Sequence, residues 1–118
     1  MAITDIWTYR DQTWSAASFM GYGVEALDGS IGKVDESTAD AESSYIVVDT
    51  GPWIFGKKVL LPAGVIDRVD RDDEKVYVAR TKDQIKNAPE FDEDRYRESL
   101  YRDDLGTYYG PGGRGYTG

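Results

Sequence analysis

Short runs in which apolar and polar residues alternate occupy residues 23–81 and predict a series of β-strands. Val24 and Ala26 would face one side of the first strand, with Glu25 on the other side. The Asp28-Gly29 pair that follows predicts a hairpin turn, because both central residues of such a turn adopt positive φ. The later runs, rich in β-branched or aromatic residues, are 31–33, 45–48, 59–61, 65–70 and 75–80.

Details of these runs indicate how the strands are arranged. Residues 45–48 are apolar on both faces, which is typical of a strand covered on both sides or lining a closed barrel. Pro62 cannot donate to a strand ladder and therefore belongs at a strand end. The charged segment 71–74 would close a hairpin between the last two strands. The chain is therefore predicted to be mainly β, with six short strands in a small barrel or sandwich.

The helical signals lie C-terminal to the strands. Thr81 and Gln84 fit a capping box, in which the hydroxyl and the amide satisfy N–H groups of a first helical turn. A short helix over 82–87 would stop before Pro89, and a second helix is predicted over 92–101. Gly106 is the expected terminator, and the glycine-rich segment near the C-terminus buries too little surface to fold.

The same pattern divides the chain into a barrel and its appendages. Residues 1–20 form an aromatic lead-in that is expected to pack on the barrel, and residues 21–81 form the barrel itself. Residues 82–105 form a helical segment, and residues 106–118 form a flexible, glycine-rich tail. The fold class is thus a small β-barrel with short C-terminal helices.

Composition narrows the possible functions. The 118 residues carry a net charge of −8 and include no cysteine and no histidine. A disulfide framework, a thiolate zinc site and a cysteine nucleophile are thereby excluded, and the usual general base is missing. An acidic chain repels phosphate backbones, so nucleic acid is not an expected partner. Since the sequence has neither a signal peptide nor an apolar run that could cross a bilayer, a cytoplasmic protein without a transmembrane segment is expected.

Several blocks of the sequence resemble the PRC-barrel domain family. They are residues 21–34 (GYGVEALDGSIGKV), 45–49 (YIVVD), 58–62 (KVLLP) and 81–85 (TKDQI), followed by Ala88-Pro89. The family is named from the cytoplasmic domain of the photosynthetic reaction-centre H subunit, and it includes the C-terminal domain of a ribosome-maturation factor. The resemblance implies a six-stranded PRC-type β-barrel that serves as an adaptor, most similar to the free-standing bacterial members. Neither the membrane-spanning helix of the first relative nor the RNA-processing domain of the second is present.

Some residues invite a chemical interpretation. Acidic side chains between residues 67 and 74 could ligate a divalent cation, but their spacing misses the calcium-loop pattern and basic residues lie among them, which favours a solvated hairpin. No spacing of carboxylates requires acid–base catalysis. The glycines of 21–23 and 29–32 precede strands, whereas a phosphate cradle needs a helix N-terminus. A single arginine within 112–116 indicates a disordered terminus more than an RNA-binding segment.

The strongest candidate surface is the apolar loop Trp53-Ile54-Phe55, flanked by glycine and proline. Large aromatic residues are enriched at interface hot spots, and exposed apolar patches commonly mark contacts. Two roles fit this loop equally, namely an interface with another protein and a cap folded over the end of its own barrel. The same question applies to Tyr101, Tyr108 and Tyr109, where helix packing onto the barrel is the simpler interpretation.

Together these observations predict a non-enzymatic interaction module. No catalytic residue, cofactor ligand or metal ligand is assigned, and the expected partner is a protein, with a homodimer or higher homo-oligomer as the expected state. The alternative is a domain that binds a small molecule in the barrel mouth or a divalent cation at the 72–74 loop. Ribosome or RNA association is a third, less favoured reading.

Overall fold

A computed structural model describes residues 6–7, 9, 11, 14–36, 44–51, 58–89, 91, 99–110 and 113. Its strands are β1 (Gly23–Ala26), β2 (Gly29–Val34), β3 (Tyr45–Asp49), β4 (Lys58–Pro62), β5 (Ile66–Asp70) and β6 (Lys75–Val78). Two α-helices follow, α1 (Lys82–Lys86) and α2 (Ser99–Tyr109), and short 3₁₀ turns occupy Ala16–Phe19 and Ala63–Val65. Among the described residues, no helix combines the length and the apolar character needed to span a membrane.

All six strands belong to one curled sheet with the order β4-β3-β2-β1-β6-β5. Neighbouring strands are antiparallel except β1 and β6, which pair in parallel. The prediction of a mainly β chain with short C-terminal helices is therefore confirmed. Because β4 and β5 are the two edges of the described sheet, the sheet is a half-barrel, and the predicted closed cylinder is not what the strand pairing shows.

The β1–β2 hairpin is present, but its turn differs from the prediction. Ala26 pairs with Gly29, so Leu27 and Asp28 form the two-residue connection and Gly29 already belongs to β2. Among the described non-glycine residues only Glu74 has positive φ, so Asp28 does not adopt the conformation expected of it. The Asp28 carboxylate instead accepts a 2.8 Å hydrogen bond from the backbone N–H of Lys82, which ties this turn to α1.

Glycine is required at residue 32, where β2 approaches β3 closely. Gly32 has φ +147°, in a region that favours glycine. A Cβ atom at this residue would overlap the carbonyl oxygen of Asp49 and lie 2.9 Å from the Cα atom of Thr50. Only a residue without a side chain therefore allows the observed pairing of Lys33 with Asp49.

β3 is buried on both faces, as the apolar run 45–48 predicts. Ile46 and Val48 alternate with Tyr45 and Val47, so the two pairs face opposite sides of the sheet, and all four side chains are buried. Each such side chain contributes about 1.5–3 kcal/mol of burial free energy. The core therefore extends to both sides of the sheet at this strand.

Aromatic residues of the lead-in pack around Phe19, whose side chain is fully buried. The rings of Tyr9, Trp14 and Tyr22 lie 6.1–6.4 Å from the Phe19 ring, measured between centroids. The Tyr9 hydroxyl also donates a 3.3 Å hydrogen bond to the carbonyl oxygen of Tyr45. These contacts join the described part of the lead-in to the sheet at β3.

The first helix follows the prediction closely and the second does not. α1 starts with the predicted capping box, in which the Thr81 hydroxyl accepts from the Gln84 N–H and the Gln84 side chain accepts from the Thr81 N–H. α2 runs from Ser99 to Tyr109, so the prediction that the helix ends at Gly106 is wrong. Residues 92–98 of the predicted helix, and all of 111–118 except Gly113, lie outside the described residues.

Candidate interaction surfaces

Charged residues form a row across the sheet, with lysine beside aspartate at both ends and Gly23 between Lys33 and Lys75. Strand register places Lys58, Asp49, Lys33, Gly23, Lys75 and Asp70 side by side, from β4 to β5. Cross-strand pairs of opposite charge stabilise a sheet modestly. Because the row lies where β3 and β5 end and β4 and β6 begin, it marks the end of the sheet that carries the 50–57 and 71–74 loops.

Ion pairs and loop closures occupy most of these charged side chains. Lys75 Nζ lies 3.5 Å from Glu25 Oε2, and its aliphatic carbons lie over Gly23. The Asp49 carboxylate accepts a 2.9 Å hydrogen bond from the Gly51 N–H, which closes the turn after β3. These contacts stabilise the ends of the strands.

The predicted interface loop lies between β3 and β4 in the chain. Trp53, Ile54 and Phe55 fall outside the described residues, and the chain enters this segment from Gly51 and leaves it at Lys58. Since β3 and β4 are neighbours in the sheet, the loop connects adjacent strands at the charged end.

The three candidate tyrosines of α2 differ in accessibility. Tyr101 and Tyr108 are half-buried, and the Tyr108 hydroxyl donates a 2.5 Å hydrogen bond to the carbonyl oxygen of Gln84. Tyr109 is fully buried within the chain and has no exposed surface to offer a partner. Burial raises the pKa of Tyr109 well above its usual range, assisted by Tyr108 and opposed by the Arg80 charge.

Arg80 is a buried cation that no sequence pattern indicated. Its side chain is 3% exposed, and its guanidinium donates hydrogen bonds of 2.7 Å to the Ala79 carbonyl and 3.1 Å to the Tyr109 carbonyl. The second contact places a positive charge at the C-terminal end of α2, where the helix dipole is negative. The sequence around Arg80 could not predict this contact with the end of α2, because the accepting carbonyl of Tyr109 lies 29 residues away.

Arg102 of α2 lies between two aromatic rings. Its Cζ atom is 4.5 Å from the Trp7 ring centroid and 5.8 Å from that of Tyr45, and its Nη2 atom lies 3.4 Å from the Ser44 hydroxyl. A guanidinium over aromatic faces is attracted by the ring quadrupole. This side chain therefore joins the lead-in, α2 and β3.

The acidic 70–74 segment is a closed hairpin turn. One carboxylate oxygen of Asp70 accepts 3.1 Å hydrogen bonds from the backbone N–H groups of Asp72 and Asp73. Glu74, at φ 53°, completes the turn before β6. No group of three or more potential metal ligands occurs among the described residues, which include this whole segment.

The glycine-rich candidates do not form a phosphate cradle. Gly23 opens β1, and Gly29 and Gly32 belong to β2, so none of them precedes a helix N-terminus. Of the arginine- and glycine-containing segment 112–116, the structure describes Gly113 alone.

Among the described residues, two exposed large apolar side chains were missed by the sequence patterns. Leu27, in the β1–β2 turn, is 60% exposed, and Met20, before β1, is 49% exposed. Because they flank β1 at its two ends, they do not form one continuous patch. Their exposure could not be read from a sequence in which both adjoin strand-forming residues.

A cavity of about 310 Å³ lies beside the charged end of the sheet. The described residues that line it are Gly32, Lys33, Asp49, Thr50 and Gly51. The volume is at the lower limit for small-molecule sites, and the lining offers one carboxylate and one ammonium group.

Part of this chain is similar in sequence to a known protein. No protein-family model matches it. An uncharacterized protein of Deinococcus radiodurans is 37% identical over 86 residues, which make up 70% of this chain and 30% of the relative. The chain therefore matches less than a third of that longer protein.

Proposed function

We propose that this chain is a PRC-barrel-type module whose function is to hold a protein partner and to associate with itself. The observation that carries the proposal is the match of 86 residues that make up only 30% of a longer relative. A segment that recurs inside a longer chain behaves as a portable module, and such a module acts through contacts. The six-stranded curled sheet is consistent with the PRC-type blocks of the sequence.

The contact surface proposed for this module is the Trp53-Ile54-Phe55 loop. The segment that contains it connects β3 and β4, which are neighbours in the sheet, and β3 is buried on both faces. Tryptophan and other aromatic residues are enriched at interface hot spots, which suits this loop to anchor a partner. The role is non-enzymatic.

The test compares the solution mass of three forms by light scattering at micromolar concentration. Wild type is expected to be larger than a monomer, and Trp53→Asp is expected to be monomeric, because a buried carboxylate opposes association. Asn87→Asp adds the same charge at an exposed residue and is expected to associate like wild type. A monomeric wild type, or unchanged association of Trp53→Asp, would remove the proposal.

The cavity beside Lys33 and Asp49 supports a second candidate, the binding of a small molecule that carries both charges. A thermal-shift screen against zwitterionic metabolites tests it, because a ligand at 100 times its Kd stabilises by about 2.7 kcal/mol. Lys33→Ala should abolish any shift that depends on this cavity. Uniformly flat shifts would eliminate the candidate.

A further inference from the structure

α2 covers an apolar part of the sheet. Tyr45 and Val47 lie on one face of β3 and are only 8% and 2% exposed. The guanidinium of Arg102, on α2, lies over the Tyr45 ring, and α2 also contacts β4, an edge of the described sheet. Loss of α2 from this position would expose apolar surface and a strand edge, both of which favour contact with other chains.

The contacts that hold α2 at its ends are mainly polar. Arg80 donates to the Tyr109 carbonyl and Tyr108 donates to the Gln84 carbonyl at the C-terminal end. Arg102 contacts the Trp7 ring and the Ser44 hydroxyl nearer the N-terminal end. A hydrogen bond between neutral groups, such as that of Tyr108, contributes little net free energy because water replaces it when the contact opens, whereas the guanidinium contacts contribute more.

Apolar burial on α2 comes from four of its described side chains: Leu105 and Tyr109 are fully buried, and Tyr101 and Tyr108 are half-buried against the core. The Tyr109 hydroxyl is buried and has no hydrogen-bond partner among the described residues, so docking removes it from water without compensation from them. This loss opposes the gain from burying the ring.

The helix cannot persist without these contacts. α2 has 11 residues and contains Gly106 in its interior, whereas isolated helices of this length are marginal even in alanine-rich sequences. Gly106 is tolerated because a Cβ there would lie 3.1 Å from Trp7 Nε1, so the ring packs tightly against the bare backbone. Docking and helix formation are therefore coupled.

We infer that α2 is a separately opening cover, which unfolds from the sheet while the six strands stay paired and thereby exposes Tyr45 and the part of β4 that it contacts. The position of the helix, its polar attachments and its low intrinsic stability all lead to this behaviour. The inference concerns the opening itself and does not depend on the partner proposed above.

Native-state hydrogen exchange of the full chain tests the inference directly. In low concentrations of denaturant, backbone amides of α2 are expected to exchange through an opening that is at least tenfold more frequent than that of β3, with weak dependence on denaturant. Equal opening of α2 and β3 amides, with the same denaturant dependence, would overturn the inference, because α2 would then open only with the whole domain.

A conservative variant sharpens the measurement. Tyr108→Phe removes the hydroxyl that donates to Gln84 and is expected to accelerate exchange of α2 amides about fivefold to tenfold, with less than a twofold change in β1 and β6. Tyr77→Phe is the matched control, because Tyr77 is a half-buried tyrosine whose ring lies under Arg68 of β5. Equal acceleration of helix and sheet by Tyr108→Phe, or the same α2 acceleration in Tyr77→Phe, would contradict the inference.

Discussion

Replacement of Gly32 by alanine should be among the most damaging small changes in this chain. The new Cβ would overlap the Asp49 carbonyl oxygen and approach the Thr50 Cα atom at 2.9 Å. Both obstacles are backbone atoms, which cannot rotate away as a flexible side chain can. β2 would have to move away from β3 and weaken the pairs that Lys33 and Val34 make there.

The expected cost follows from two contributions. Holding a non-glycine residue at φ +147° costs about 1–3 kcal/mol, and forcing extra volume into a packed contact costs about 1–3 kcal/mol. Gly32→Ala should therefore lose about 2–6 kcal/mol from a total stability of about 5–15 kcal/mol. If the loss lies at the upper end of its range and the total stability at the lower end, much of the protein would be unfolded.

Urea unfolding followed by tryptophan fluorescence measures this loss, because Trp7 and Trp14 pack against the core. Gly23→Ala is the matched control, since a Cβ there meets only the flexible Lys75 side chain at 3.4 Å and its φ is ordinary. The control should stay within about 1 kcal/mol of wild type. A Gly32→Ala protein that unfolds at the same urea concentration as Gly23→Ala, with the same slope, would refute the reasoning.

Two further changes test the helices. Thr81→Ala removes the hydroxyl that accepts the 3.2 Å hydrogen bond from the Gln84 N–H and should lower the free energy of unfolding by about 1 kcal/mol. The control Thr107→Ala, at an exposed helical residue, should lower it by less than about 0.5 kcal/mol. Equal losses in the two variants would contradict the role of the cap. Tyr109→Phe removes a buried hydroxyl that has no partner in the described part of the chain, so stability at neutral pH should be retained or increased. Because the pKa of Tyr109 is raised in the folded state, wild type should lose stability above about pH 10, by up to about 1.4 kcal/mol per pH unit more than Tyr109→Phe. Urea unfolding of both proteins at about pH 9 and about pH 11 measures this difference. If wild type and Tyr109→Phe lose the same stability between these pH values, this tyrosine ionises freely.

Sequence patterns predicted the strands well because each strand is determined by residues within or next to it. Pro62 ends β4 as its missing N–H requires, and the apolar run of β3 is buried on both faces. The capping box at Thr81 is complete for the same reason, since both partners lie within one turn. In each case the residues that determine the structure are close together in the chain.

Features that depend on distant residues could not be predicted in this way. Parallel pairing of β1 with β6 joins residues about 50 positions apart, such as Gly23 and Lys75. Gly106 suggests a helix end, but the Trp7 ring packs against it and the helix continues. The burial of Arg80 depends likewise on a carbonyl of α2.

The candidate surface was predicted less completely than the fold. Tyr109, proposed as an interface residue, is a core residue because Arg80 holds the end of α2 against the sheet. Exposed Leu27 was missed, because an apolar residue beside a strand gives no indication of whether it faces the core. Aromatic composition therefore identifies residues that pack, without separating internal packing from contact with a partner.

Self-association is the claim on which the proposed function depends most, and sedimentation equilibrium of the wild-type chain tests it most directly. Measurements over about 1–100 µM bracket a micromolar Kd. The account predicts that the average mass rises with concentration from the 13.2 kDa of one chain toward at least twice that value. A constant mass of one chain over the whole range would contradict it.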